Sequence, residues 1–306
     1  MARSLNLTNV TPAASLEGSL ILARERAEAA FNSAIQRPGH VPVGPLSVFN
    51  GNLGEAADLL VSSVVSGRGA RVATANMDFV MRARRDTALR ADLQAASLVV
   101  ADGAPVAWLA RIAGGSRTRR VTGVDLVSAL CARARAAGGL RVAFYGSDHD
   151  TAAAAARQLE ASHEGLSVVA TICPPFRAMS AAEVQSDVDQ LAANLPDIVL
   201  VALGCPRQER FIAEHAPKLP GAVWIGVGGT FDFFAGKRRR APRVLQAAGV
   251  EWLARLAQEP RRLWRRYLVN DLPALMLVAP GCLRRQADPR AVADVAGLRR
   301  ALTGAD

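Results

Sequence analysis

The sequence is poor in cysteine and has no long apolar run. Its four cysteines stand apart without a CxxC pair, which argues against a disulfide framework or a zinc site and favours a cytoplasmic protein. The longest weakly interrupted apolar run, Leu272 to Leu283, is about half of the roughly 20 residues that a membrane-spanning helix needs. Residues 1–14 also lack the basic and then apolar pattern of a signal peptide. We therefore expect any membrane contact to be peripheral.

Lysine is scarce as well. Only Lys218 and Lys237 are present, so nearly all of the 37 basic residues are arginines. Against 27 acidic residues they give a net charge of +10, which favours anionic partners such as diphosphates, acidic lipids or nucleic acid. Ten basic residues and two acidic ones lie between Lys237 and Arg266. Trp264 and Tyr267 interleave with these arginines, a composition typical of an interfacial membrane segment.

Short apolar runs rich in β-branched residues recur every 25 to 30 residues or so, with one longer gap, and helical patterns fill most of the intervals. They cover residues 46–49, 71–75, 98–101, 141–145, 167–172, 197–203 and 222–227. This spacing is typical of βαβ units and predicts an α/β, Rossmann-like layered fold with a mostly parallel sheet.

The chain divides into three parts by composition. A leader and linker cover residues 1–43, with a helical pattern over about 15–35 and then a stretch of Pro and Gly. The α/β core covers 44–245. A basic helical C-terminal appendage and tail covers 246–306.

Polar and glycine residues follow five of the predicted strands. Ligands of open parallel sheets bind outside the carboxyl ends of the strands, so these residues are candidates for a site. Each also has a structural explanation, because Thr and Asn after a strand often cap a helix and Asp-Gly often forms a turn. Their clustering on one edge favours function. The residues are Thr74, Asn76, Asp102, Gly146, Ser147, Gly204, Gly228, Gly229 and Asp232.

The glycines at Gly146 and Gly228 would allow backbone N–H groups to approach a diphosphate. A complete G-x-G-x-x-G with an acidic residue at the ribose position is missing, which disfavours a nicotinamide cofactor. Asp187-Val-Asp189 falls inside an amphipathic helical pattern, and we interpret it as solvent-facing rather than as the site of a metal-bound nucleotide sugar. We therefore predict neither a cofactor nor a metal.

Six motifs lie in order over about residues 44–270. They are Thr74-Ala-Asn76, Val100-Ala-Asp-Gly103, Arg120-Val-Thr-Gly-Val-Asp125, Gly204-Cys-Pro-Arg-Gln-Glu209, Gly226-Val-Gly-Gly-Thr-Phe-Asp-Phe-Phe-Ala-Gly236 and Glu259-Pro-Arg-Arg-Leu-Trp-Arg-Arg-Tyr267. This set resembles the WecG/TagA/CpsF glycosyltransferases. The first 43 residues and the tail after about Asp271 lie outside the resemblance.

The resemblance implies a bacterial enzyme of cell-surface polysaccharide synthesis on the inner face of the cytoplasmic membrane. Such enzymes transfer a sugar, with inversion, from a UDP-sugar to a polyprenyl-diphosphate-linked sugar. Asp102 matches the family's candidate general base, and Thr74, Arg120 and Gln208 match conserved active-site positions. The basic stretch matches an appendage that closes over the active site and meets the membrane.

The resulting candidates fall into three groups. The candidate catalytic residues are Asp102, Thr74, Asn76, Arg120 and Gln208. The candidate substrate-binding residues are Gly146, Ser147, Gly204, Pro206, Arg207, Glu209, Gly228, Gly229 and Asp232. The candidate acceptor and membrane residues are Arg261, Arg262, Arg265 and Arg266. With arginines meeting the charge of the leaving group, we expect activity without a metal ion.

Two other functions fit parts of the sequence. A non-catalytic Rossmann-like protein could use the basic tail to bind anionic lipid or nucleic acid, although it would leave the polar strand ends without a role. A nucleotide-dependent oxidoreductase is weakened by the missing fingerprint. No helix-turn-helix or RNA-binding signature is present, so we expect no nucleic-acid partner. The oligomeric state is left open, with a homo-oligomer among the alternatives.

Overall fold

A computed structural model of the chain describes residues 39–242, 245 and 251–284. The predicted leader helix over 15–35 and the tail beyond residue 284 lie outside these residues. The strands are β1 His40–Val43, β2 Leu46–Phe49, β3 Ala70–Ala75, β4 Leu98–Ala101, β5 Leu140–Gly146, β6 Leu166–Ile172, β7 Ile198–Ala202 and β8 Val223–Gly226.

Helices fill the intervals between the strands and form the appendage. In the core they are α1 Leu53–Val65, α2 Met77–Arg85, α3 Thr87–Gln94, α4 Ala104–Ile112, α5 Gly123–Cys131, α6 His149–Ser162, α7 Ala181–Ala193, α8 Arg207–His215 and α9 Thr230–Phe234, with a short 3₁₀ turn at Ala216–Lys218. In the appendage they are α10 Glu251–Gln258, α11 Pro260–Trp264, a π-helical segment Arg265–Asp271 and α12 Leu272–Arg284.

Six strands form one parallel sheet in the order β4-β3-β8-β7-β5-β6. Successive residues of a strand point to opposite faces, so each buried strand supplies apolar side chains to two layers. Val72, Phe144 and Ile225 pack with α1, α5, α6 and α9 on one face. Ala73 and Val99 pack with α2, α3 and α4 on the other face. The α/β, Rossmann-like prediction is confirmed.

The first predicted strand lies outside the parallel sheet. Residues 46–49 form β2, which pairs antiparallel with β1 in a two-stranded hairpin. The predicted linker includes residues 40–43 because they lie in a stretch of Pro and Gly, but these four residues form β1 and all are buried. Val41 and Val43 pack in the same cluster as α2 and α4. Pro42 is tolerated because a two-stranded ribbon has only edge strands.

The appendage packs on the core through one side of α12. Ala274, Val278 and Cys282, spaced four residues apart, are buried in the cluster that contains β1 and α2. This spacing places the three side chains on one face of a helix. The appendage thereby reaches the carboxyl edge of the sheet, where the candidate residues lie.

Candidate active site

A cavity of about 260 Å³ opens at the carboxyl edge of the sheet, between the core and the appendage. Its lining includes Asn76, Asp102, Trp108, Arg120, Thr122, Gly229 and Arg240 from the core, and Glu251, Trp252, Leu268, Asp271 and Leu272 from the appendage. Four of the residues predicted from the sequence, Asn76, Asp102, Arg120 and Gly229, thus come together around one space.

Asp102 follows β4 directly and is half-buried. Its backbone N–H donates to the carbonyl of Ala75 at 2.9 Å, which extends the pairing of β4 with β3 and fixes the position of the residue. Trp108, on the next helix, lines the same cavity and is 42% exposed. The cavity therefore contains both a carboxylate and an open aromatic surface of the kind that packs against a sugar ring.

Asn76 follows β3, and it is both a helix cap and a residue of the cavity lining. Its side chain caps α2 by accepting the N–H of Asp78 at 3.0 Å. The residue also lines the cavity on the same edge as Asp102.

Four charged side chains form an alternating cluster at the cavity. Arg120 hydrogen-bonds Glu251 and lies 3.9 Å from Asp125. Arg240 makes two hydrogen bonds to Asp125 and lies 3.9 Å from Glu251. Although burial opposes it, hydrogen bonds from Arg240 and Thr122 lower the pKa of Asp125. The hydrogen bond to Asp125 in turn raises the pKa of Arg240, so both groups are charged at neutral pH.

Arg240 and Glu251 are site residues that sequence reasoning missed. Arg240 is one of three consecutive arginines, and composition does not distinguish it from its neighbour Arg239, which is exposed. Glu251 was counted only as one of two acids in a basic stretch. The signal that was present is its isolation, because an acid surrounded by arginines is a natural ion-pair partner.

Thr74 and Gln208 are buried and connect strand ends to one another. The hydroxyl of Thr74 donates to the carbonyl of Gly226 at 2.8 Å. The side-chain oxygen of Gln208 accepts the N–H groups of Gly204 at 3.2 Å and Gly228 at 3.1 Å. These bonds join the ends of β3, β7 and β8, so both residues shape the edge on which the cavity lies.

Glu209 completes this buried network. Its Oε1 atom accepts from the amide of Gln208 at 2.7 Å. Burial raises the pKa of Glu209 to about 7, against a usual value of 4.5. Burial also raises the pKa of the neighbouring Cys205 thiol, so this thiol stays protonated at neutral pH.

The backbone has positive φ angles at the end of β5 and at the first residue after it. Gly146 has a φ of +109°, and a Cβ atom there would lie 2.6 Å from the carbonyl oxygen of Ala202. Ser147 follows with a φ of +66°. Asp148 caps α6, and hydrogen bonds from Thr151 and then Lys237 lower its pKa to about 2.

Asp148 and Asp150 also form an Asp-x-Asp pattern at a strand end, which was not singled out from the sequence. Asp148 is engaged by Thr151 and Lys237, and the side chain of Asp150 is almost fully exposed. Among the residues that the structure describes, no three His, Cys, Asp or Glu side chains are grouped closely enough to hold a metal ion.

The remaining predicted residues do not line the cavity. Arg207 is exposed and donates to the carbonyl of Leu203, and it follows Pro206, which has a cis peptide bond. Asp232 pairs with Arg238 at 3.1 Å.

The predicted appendage arginines are on the outside where the structure describes them. Arg261 and Arg265 are exposed, and Arg265 lies over the ring of Trp264 at 5.4 Å. The side chains of Arg262 and Arg266 lie outside the described part of the chain. Within that part, no helix is long and apolar enough to cross a membrane.

A parallel, doubly covered sheet with a carboxylate and two guanidinium groups at its carboxyl edge defines an enzyme core suited to phosphate-bearing substrates. The sequence matches the WecG/TagA/CpsF family of glycosyl transferases over residues 41–288, and the chain belongs to this family. The resemblance drawn from the six motifs is confirmed, and the protein is a glycosyltransferase.

Two curated relatives are both N-acetylglucosaminyldiphosphoundecaprenol N-acetyl-β-D-mannosaminyltransferases. The relative from Bacillus spizizenii is 32% identical over 201 residues, which is 66% of this chain and 76% of the relative. The relative from Bacillus subtilis is 29% identical over 223 residues, which is 72% of this chain and 83% of the relative.

Proposed function

We propose that this glycosyltransferase moves a sugar from a UDP-sugar, with inversion, to a polyprenyl-diphosphate-linked sugar in bacterial cell-surface polysaccharide synthesis. The names of the two relatives support an N-acetylmannosaminyl donor and an N-acetylglucosaminyl-diphospholipid acceptor. The observation that carries the proposal is the presence of Asp102, Arg120 and Arg240 around one cavity.

Asp102 is the general base of the proposed reaction. The acceptor hydroxyl oxygen attacks the anomeric carbon from the face opposite UDP, and its proton passes to the Asp102 carboxylate. The bond between the anomeric carbon and the UDP oxygen breaks, and its electron pair leaves with UDP. A single displacement of this kind inverts the anomeric configuration.

Arg120 and Arg240 stabilise the charge that develops on the leaving diphosphate. Guanidinium groups match phosphate oxygens with paired N–H donors, and both of these groups line the cavity. Because fixed positive charge can replace a metal ion in this role, we propose that activity survives EDTA.

The exposed side of the appendage supports a peripheral site on the inner face of the membrane. Met276, Leu277 and Leu283 are between 55% and 70% exposed on α12, away from its packed face. Trp264 and Arg265 precede them and are also exposed. Apolar and aromatic side chains beside arginines favour the boundary between lipid headgroups and acyl chains.

The proposal is tested by incubating the full chain, in EDTA, with UDP-N-acetylmannosamine and a polyprenyl-diphosphate-linked N-acetylglucosamine. We expect a lipid-linked disaccharide with the β configuration and release of UDP. UDP-N-acetylglucosamine, NAD and a short DNA duplex serve as controls. A strict requirement for added Mg²⁺ would refute the metal-free account, and binding of NAD or DNA without transfer would refute the proposed reaction.

A further inference from the structure

The cluster of Arg120, Asp125, Arg240 and Glu251 has no net charge. Two guanidinium groups face two carboxylates, and Asp102 and Asp271 add negative charge to the same cavity. A diphosphate that entered the cavity with all four groups in place would therefore meet no excess of positive charge. One carboxylate has to leave the guanidinium groups before a diphosphate binds well.

The two carboxylates differ in how they are held. Asp125 belongs to the core, where it accepts from the hydroxyl of Thr122 at 2.7 Å at the start of α5. Glu251 is the first residue of α10 and belongs to the appendage. Its side chain is only 14% exposed, and its ion-pair partners among the described residues are Arg120 and Arg240. Glu251 is thus the carboxylate that a ligand can displace without disturbing a helix cap of the core.

One hydrogen-bond donor of Arg240 has no acceptor among the described residues. Its two terminal nitrogens bond Asp125, but its Nε atom is buried without a hydrogen-bond partner among the described residues. A buried donor without a partner costs free energy, so a phosphate oxygen that reaches this nitrogen gains more than one that meets a satisfied guanidinium.

We propose that Glu251 is an intramolecular competitor that occupies the place of a substrate phosphate between Arg120 and Arg240. This inference rests on the proposed function. When a diphosphate binds, its oxygens replace the Glu251 carboxylate, and the contact of α10 with Arg120 and Arg240 is released. Arg120 and Arg240 are accordingly the groups for which the Glu251 carboxylate and a substrate diphosphate compete. Both the donor and the acceptor carry a diphosphate, so either is a source of this chemistry.

The test is calorimetric titration of the full chain in EDTA with two probes. UDP represents the donor, and farnesyl diphosphate represents the prenyl diphosphate of the acceptor. Glu251→Gln removes the competing charge while keeping the shape of the side chain. One of the two probes is expected to bind between Arg120 and Arg240. We expect Glu251→Gln to bind that probe about tenfold more tightly than the parent, because a smaller fraction of the protein has these arginines occupied by residue 251.

Glu259→Gln is the matched control. Glu259 is an acid of the same appendage that pairs with Arg238 at 3.5 Å and does not line the cavity, so its replacement is expected to leave both affinities unchanged. Arg240→Gln is expected to lower the affinity for the same probe whose affinity Glu251→Gln raises. If Glu251→Gln melts well below the parent, Glu251→Asp replaces it in the test. Its side chain is one methylene shorter, so it is expected to show part of the increase in affinity for the probe.

The outcomes separate this inference from the proposed function. If Glu251→Gln binds one of the probes more tightly than the parent and Glu259→Gln does not, the competitor role is supported. The probe that gains affinity identifies the source of the diphosphate. Equal or weaker binding of both probes, with the parent binding at least one, overturns the inference and leaves the proposed function standing. If neither the parent nor Glu251→Gln binds either probe, the proposed function itself is contradicted and the inference falls with it.

Discussion

The hydroxyl of Thr74 donates a buried hydrogen bond of 2.8 Å to the carbonyl of Gly226, joining the ends of two strands that are 152 residues apart in the sequence. Asn76 follows one strand and Gly229 follows the other, and both line the cavity. A single side-chain bond therefore helps to set the width of the site.

Thr74→Val removes this bond while keeping the size of the side chain. Loss of a buried hydrogen bond is expected to lower the free energy of unfolding by about 1–2 kcal/mol, and turnover is expected to fall with the altered spacing. Urea unfolding and a transfer assay measure the two effects. Thr74→Ser keeps the donor and is expected to recover most of both, whereas a Thr74→Val protein as stable and active as the parent would contradict the role.

Glu209→Gln tests the buried carboxyl. The pKa of Glu209 is raised from 4.5 to about 7 in the folded protein. The neutral Glu209 carboxyl therefore stabilises the parent at low pH, and this contribution to the free energy of unfolding is lost as the pH rises from 4.5 through 7. The glutamine variant has no such loss. We expect the stability of the parent relative to the variant to fall by about 3 kcal/mol between pH 4.5 and pH 8.

The measurement is chemical unfolding of both proteins across this pH range. Glu214→Gln, which replaces an exposed acid on the same helix, is the control for the loss of a surface charge. Parallel curves for the parent and Glu209→Gln would show that the carboxyl does not change protonation in this range.

Gly146→Ala tests the end of β5. A Cβ atom at this position lies 2.6 Å from the Ala202 carbonyl oxygen, and the φ of +109° is strained for any L residue. Gly138→Ala is the matched control, because Gly138 has a φ of +82° and open space around it. The backbone strain is expected to cost about 1–2 kcal/mol at Gly138, and the steric overlap about 1–3 kcal/mol more at Gly146. Equal melting temperatures for the two variants would contradict the close approach.

Met276→Glu tests the apolar side of α12. The side chain is 70% exposed, so the substitution is expected to leave the fold intact and to reduce sedimentation with anionic phosphatidylglycerol vesicles several-fold. Val65→Glu changes a side chain that is 68% exposed at the end of α1 and serves as the control. Equal loss in both variants would point to general electrostatic repulsion instead of a membrane-facing helix.

The parallel sheet could be predicted from the sequence because its strands are short apolar runs separated by helical patterns. Six of the seven predicted runs lie in the sheet. The hairpin could not be predicted in the same way. Pro42 and Pro45 look like breakers, and only the burial of Val41 and Val43 against α2 and α4 shows why the segment is ordered.

The site was predicted where motif and strand end coincide, as at Asn76, Asp102 and Arg120. Arg240 and Glu251 were not predicted, because their role depends on how the appendage folds back on the core. Nothing in the local sequence marks one arginine of a basic run as the partner of Asp125. The buried network of Gln208 likewise depends on backbone groups of Gly204 and Gly228, which no side-chain pattern reveals.

In the proposed reaction Asp102 removes the acceptor proton in a cavity that binds the donor through other groups. The most direct measurement compares Asp102→Asn with the parent in single-turnover transfer from UDP-N-acetylmannosamine and in UDP binding. We predict that UDP binds at least as tightly as to the parent, because the substitution removes a negative charge from the cavity, and that turnover is lower by about 10²–10⁴-fold. Turnover close to that of the parent would contradict the assignment of Asp102 as the base.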